Sequence, residues 1–236
     1  MLTQQLMQSM GGGPFSPSAL DGLKLWLRAD LGASVSAWVD QVGDDPTHKN
    51  VTQGTPANQP ALDATAAGGK PCFKFTGNQS FVGQTWQSGG FPAPLPQPFT
   101  VFCIGRATAA GSYFWDTATG TEIAAQAAAA GGFRFYAGGA AYSTPTGVIT
   151  GFSSIIAVYD SAHTGTRQYV NAATPGASTN DGTASIVSTI IGNVQGFPTT
   201  GVDIAEIVVI DHAPSVAEVL QLNTYANTRY GISIGA

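Results

Sequence analysis

From Leu23 to Ile210 the chain is a succession of short apolar runs separated by clusters of Gly, Pro, Asn, Asp and Ser. Leu23, Leu25 and Leu27 alternate with Lys24, Trp26 and Arg28, which is the period of a strand with two distinct faces. Further strands are predicted at Cys72–Phe75, Phe99–Gly105, Phe133–Tyr136, Ser154–Tyr159, Arg167–Asn171, Ser185–Ile191 and Ile204–Ile210. Several of these are apolar on both faces, as strands buried inside a sandwich are. A chain built this way has to stack sheet on sheet, because each sheet exposes an apolar face that only another layer covers.

One segment breaks the pattern near the end. Pro214 and Ser215 open a helix in which Ser215 and Glu218 form a capping box, and Gly231 is placed to stop it. Val216, Val219, Leu220, Ala226 and Tyr230 are predicted to form its apolar face. The loops Gly43–Pro60 and Gln84–Pro98 are long for a compact domain. The expected fold is therefore all-β, a long run of strands closed by one C-terminal amphipathic helix.

Residues 1–20 read differently from the domain at 21–236. Leu2, Leu6 and Met10 fall four apart along MLTQQLMQSM, and Gly11–Pro17 then breaks any helix. So short a helix is marginal by itself in water. The segment is read as an arm whose apolar side chains, Leu2, Leu6, Met7, Met10 and Phe15, meet a partner surface or pack on the chain's own domain.

Composition removes several functions. Nine basic residues stand against fourteen acidic ones and no basic run occurs, so a nucleic-acid partner is not expected. No apolar stretch approaches the ~20 residues that span a bilayer, so membrane insertion is not expected either. The N-terminus has neither the basic start nor the continuous apolar core of a secretory leader. His48, His163 and His212 lie far apart and no Cys-x-x-Cys occurs, which argues against zinc. Cys72 and Cys103 each sit in an apolar run; buried free thiols and a disulfide both fit that placement.

The order of the segments resembles that of concanavalin A-like, laminin-G-like jelly-roll domains. The resemblance runs through LKLWLRADLG (Leu23–Gly32), SAWVDQVGDD (Ser36–Asp45), TQGTPANQPAL (Thr52–Leu62) and GKPCFKFTG (Gly69–Gly77). It continues in FTVFCIGR (Phe99–Arg106), in Tyr169-Val170-Asn171 and in VDIAEIVVIDHAPSVAEVLQLNTYANTRYGI (Val202–Ile232). It implies two antiparallel sheets packed face to face, in a domain class found in bacterial surface proteins and in bacteriophage virion proteins. Thr76 departs from the family, which often carries an aspartate before that glycine.

Glucanases of this fold carry a strand motif of the form E-x-D-x-x-E, and retaining hydrolysis needs two carboxylates about 5–5.5 Å apart. Gly201-Val202-Asp203-Ile204-Ala205-Glu206 matches only its second half, with Gly201 at the place of the first glutamate. Glu206 is therefore read as a structural carboxylate near the sandwich edge, and no catalytic residue is assigned. Calcium is the cofactor this domain class raises, but Asp44-Asp45 is the only adjacent acidic pair, and calcium takes six to eight oxygens. No cofactor or metal ligand is assigned.

The function expected is that of a non-enzymatic bacteriophage virion structural protein, a capsid decoration or a fibre component held by its N-terminal arm. Its partners would be other virion proteins, with further copies of itself as another possibility. The alternative is a lectin-like module for host-surface glycan, with Trp86 and Phe91 in the long loop as the sugar contacts. A glycan hydrolase is the third class.

Overall fold

The computed structural model describes residues 14–42, 50–83, 94–117, 123–127, 133–137, 141–144, 151–161, 167–176, 182–192 and 199–235. The strands in the first third are β1 (Leu23–Arg28), β2 (Ala33–Ser34), β3 (Ala37–Trp38), β4 (Val51–Thr52), β5 (Ala61–Ala67) and β6 (Lys70–Gly77). Next come β7 (Phe81–Gly83), β8 (Phe99–Ala107), β9 (Tyr113–Asp116), β10 (Ile123–Ala127) and β11 (Phe133–Ala137). The last strands are β12 (Ala141–Thr144), β13 (Ser153–Tyr159), β14 (Arg167–Val170), β15 (Ile190–Ile191) and β16 (Thr199–Ile210). The helix α1 (Val216–Tyr230) closes the chain.

Two antiparallel sheets result. The first is ordered β14-β13-β8-β16-β6-β5, with β1 pairing the second half of β16. The second is ordered β12-β11-β10-β9-β15-β7-β4-β3-β2. Side chains alternate across the first sheet as the strand period requires. Val101, Cys103, Ile155, Ala157, Ile207 and Val209 point into the space between the sheets. There they meet Trp38, Phe81, Trp115 and Phe135 from the second sheet. The intervening residues Phe102, Ile104, Ile156, Val158 and Val208 point the other way and are covered by α1. That is why these strands are apolar on both faces: the first sheet is the middle of three layers.

The predicted strands are present, but β2, β3, β4, β5, β7, β9, β10 and β12 lie outside the strands predicted from the sequence. Of Ser185–Ile191 only Ile190–Ile191 is a strand, while Ile186 makes an isolated bridge to Leu95. The loop Gly43–Pro60 contains β4 and a short 3₁₀ turn at Pro56–Asn58.

The capping box is formed as the sequence indicates. The Glu218 N–H donates to Ser215 Oγ, and the Ser215 N–H donates to Glu218 Oε2. Gly231 takes the left-handed conformation (φ 69°) that ends the helix without a Cβ penalty. The buried face, however, is rotated from the predicted one. Val216 is 74% exposed and Leu220 only half-buried. Leu222, Asn223 and Tyr225 join Val219, Ala226 and Tyr230 underneath. A polar residue on the buried side, Asn223, hid it from a count of apolar spacing. Asn223 Oδ1 accepts from the Ser154 hydroxyl, and its Nδ2 donates to the Ala172 carbonyl.

Cys72 and Cys103 are free. They lie on opposite faces of the first sheet, Cys72 under α1 and Cys103 between the sheets, with β16 separating their strands. No rotamer brings the sulfurs together across a sheet. The disulfide alternative is thereby removed.

Residues 14–20 belong with the domain. Pro17 and Leu20 are buried, and the Phe15 ring lies edge-on to Tyr225 of α1 at 6.3 Å. Phe15, grouped with the arm from its sequence, thus packs on the chain's own helix.

Candidate functional site

β16 is the strand that carries the glucanase-like fragment, and its register decides where the carboxylates go. Ile204 pairs with Gly105 on β8, but the next paired residue, Glu206, faces Ile104. One extra residue is therefore inserted at Ala205, a β-bulge that shifts the alternation by one. Without it Glu206 would point between the sheets; with it, Glu206 lies on the α1 side beside Ala205 and Val208. The carboxylate sits beneath the helix at the centre of a sheet flanked by β1 and β8, and not at the sandwich edge.

Glu206 is 0% exposed and its oxygens are claimed from three directions. Trp26 Nε1 on β1 donates to Oε1 at 2.5 Å. The Tyr225 hydroxyl lies 2.9 Å from both oxygens, and the Tyr230 hydroxyl donates to Oε2 at 2.6 Å. Arg229 Nε stands 4.0 Å from Oε2, while the far end of the same guanidinium pairs with Asp30. Burial pushes the Glu206 carboxyl above its ordinary range, against the pull of Tyr230, Trp26 and Tyr225. The two tyrosine hydroxyls are raised as well, by burial and by the Glu206 charge. This arrangement holds a helix to a sheet. It offers no lone pair and no opening to a substrate.

The other members of the fragment are committed too. Asp203 is buried and accepts from Arg106 Nε at 2.8 Å, with the terminal nitrogen at 2.7 Å. Arg106 in turn lies over the Phe152 ring at 4.9 Å. Gly201 has φ +152°, and a Cβ there would meet the Thr108 hydroxyl oxygen at 2.1 Å. A glutamate at 201 would be strained by its backbone conformation and would have to displace the Thr108 hydroxyl.

Elsewhere the described residues are sparing with sites. A cavity of about 20 Å³ between the sheets, lined by Trp115, Asp116, Thr117 and Ser188, has room for one water and none for a sugar ring. Among the described residues no group of three His, Cys, Asp or Glu is placed to hold a metal ion. His212 faces Glu218 at 3.0 Å and Asp211 at 3.5 Å, at the start of α1. On the outer face of the second sheet, Tyr113 and Tyr136 are half-buried with ring centroids 6.2 Å apart. Of the residues singled out from sequence, Leu2, Leu6, Met7, Met10, Trp86, Phe91 and the Asp44-Asp45 pair lie outside the described residues. Trp26, Tyr225 and Tyr230 were missed as a group. The available signal was a lone Glu inside the apolar run Ile204–Ile210, which a strand tolerates only with partners supplied from elsewhere.

Solved structures share this architecture. Trypanosoma rangeli sialidase superposes with a TM-score of 0.65 at 15% identity, over 92% of this chain and 34% of the sialidase. The receptor binding domain of botulinum neurotoxin type G gives 0.58 at 11% identity, covering 86% of this chain and 51% of that one. The binding domain of botulinum neurotoxin DC, solved with rat synaptotagmin II, gives 0.62 at 9% identity, covering 87% and 52%. This is an all-β sandwich shared by fold. The chain spans about a third of the sialidase and half of each toxin domain. No protein-family model and no curated protein sequence matches the chain.

Proposed function

We propose that the chain is a non-enzymatic structural module of a bacteriophage virion, attached through its N-terminal segment. The observation that carries the non-enzymatic part is the sealing of Glu206. The carboxylate that a hydrolase of this fold would present to substrate is spent on Trp26, Tyr225 and Tyr230. The resemblance to virion jelly-roll domains and the apolar residues Leu2, Leu6, Met7 and Met10 support the attachment part. Burying one such side chain contributes roughly 1.5–3 kcal/mol, so several together offset the ordering of a short segment. Phe15 fastens the root of that segment to α1.

Competition between full-length protein and a form lacking residues 1–13, for particles that lack the protein, tests this. The truncated form should fold and fail to incorporate. Equal incorporation moves the attachment surface onto the sandwich and ends the arm reading.

A second reading, a lectin-like module for host-surface glycan, is favoured by the half-buried Tyr113–Tyr136 aromatic pair. Glycan-array binding that is lost in Tyr136→Ala would establish it, and an empty array would remove it.

A further inference from the structure

We propose that Glu206 is a proton-operated latch that fastens α1, and the root of the N-terminal segment packed on it, to the first sheet. The latch is a property of the fold whatever the chain's partner is.

Three elements that are distant in sequence meet at this one side chain. β16 supplies the carboxylate, β1 supplies Trp26 Nε1, and α1 supplies the hydroxyls of Tyr225 and Tyr230. Together with Asn223 on Ser154, the two hydroxyls are polar ties by which the second half of α1 reaches the sheet beneath it. Tyr225 also carries Phe15 on its ring. Loosening Tyr225 therefore loosens the point where the N-terminal segment joins the domain.

The charges around the site decide which protonation state the docked helix prefers. On the α1 side stand Tyr225, Tyr230 and Arg229. On the β1 side stand Arg28, whose guanidinium lies 5.3 Å from the Trp26 ring centre, and Asp40, which accepts the Trp26 N–H at 2.8 Å. Asp30 follows β1 and takes both arginines, Arg28 at 2.9 Å and Arg229 in direct contact. From the opposite face of the sheet the Cys103 thiol senses the carboxylate. The nearest cation to Glu206, at 4.0 Å, is thus already shared with Asp30, and the direct donors are neutral. Neutral donors and a shared guanidinium do not replace the hydration of a full charge removed from water. Burial accordingly holds the carboxyl above its ordinary range.

A carboxyl raised by folding adds stability that is complete below its unfolded value and is lost as pH rises through the folded one. The latch is closed in acid and slackens toward alkaline pH. The protonated form keeps all three elements together without a buried charge. Ionisation leaves a charge under the helix that undocking would hydrate.

Hydrogen exchange of the α1 amides, corrected for intrinsic rate, is followed from about pH 5 to about pH 9 in the wild type, Glu206→Gln and Tyr230→Phe. Wild-type protection of α1 should fall by about tenfold for each unit by which the folded pKa exceeds the unfolded one. Glu206→Gln, neutral throughout, should show a flat profile. Tyr230→Phe removes a donor that favours the ionised form, so its loss of protection should begin at lower protection and higher pH. Parallel profiles for wild type and Glu206→Gln, or protection that rises with pH, overturn the latch. If Glu206→Gln does not fold, the Tyr230→Phe profile decides alone: an unshifted midpoint overturns the proposal.

Discussion

The Tyr230 hydroxyl donates to Glu206 Oε2 at 2.6 Å, joining the last residue of α1 to a strand position 24 residues earlier. A hydrogen bond to a buried carboxyl contributes about 1.5–3 kcal/mol when one partner is charged and about 1 kcal/mol when both are neutral. Tyr230→Phe keeps the ring and removes the donor. Urea unfolding near neutral pH should show a loss within about 1–3 kcal/mol, with the m-value unchanged.

The rotated face of α1 makes a paired prediction. Leu222 is fully buried under the helix, whereas Leu220 is half-buried at its side. Leu222→Ala should cost about 2–5 kcal/mol, as core truncations do, and Leu220→Ala clearly less. Thermal unfolding of the two variants side by side checks this. A larger loss for Leu220→Ala would return the helix to the orientation predicted from apolar spacing.

The N-terminal boundary can be tested by two truncations. Residues 1–13 are proposed to act as an arm, so deleting them should leave the melting temperature close to that of the full chain. Deleting 1–20 also removes Leu20, 7% exposed in the core under α1, together with Pro17 and Phe15. That deletion should cost at least the roughly 1.5–3 kcal/mol of one buried side chain.

Glu218 gives the acid limb of the pH dependence. Its burial would raise the carboxyl, but the Ser215 N–H and hydroxyl and the His212 ring outweigh this and hold it below its ordinary range. A carboxyl lowered by folding stabilises above its unfolded pKa, and that contribution is lost as pH falls through the folded value. The stability difference between wild type and Glu218→Gln should therefore be largest above about pH 5 and shrink toward about pH 3. This trend runs opposite to that of Glu206, so the two variants separate the two groups.

The thiols give a simple check of the layer assignment. Burial pushes Cys72 up to about 12 and Cys103 well above its ordinary value. Neither should react with a disulfide reagent in the native protein, and both should react in denaturant. Prompt reaction of either one in the native state would contradict its placement.

The sequence by itself determined the all-β class, eight of the sixteen strands described between Leu23 and Ile210, and the start and stop of α1. Each of these rests on local rules: the two-residue period, the Ser215–Glu218 box, and the backbone freedom of Gly231. It also showed that the half-motif Asp203–Glu206 lacks its first carboxylate at Gly201. Only the tertiary structure decided which way those carboxylates point. The bulge at Ala205 is invisible in a one-dimensional pattern, because alternation on either side of it looks regular, and it turns Glu206 toward α1. Which helix face is buried was likewise settled by distant partners, Asn223 against Ser154 and Tyr225 against Glu206. Local periodicity places a side chain on a face. Whether a polar side chain is tolerated on that face depends on donors and acceptors brought from elsewhere in the chain, and that is a property of the folded whole.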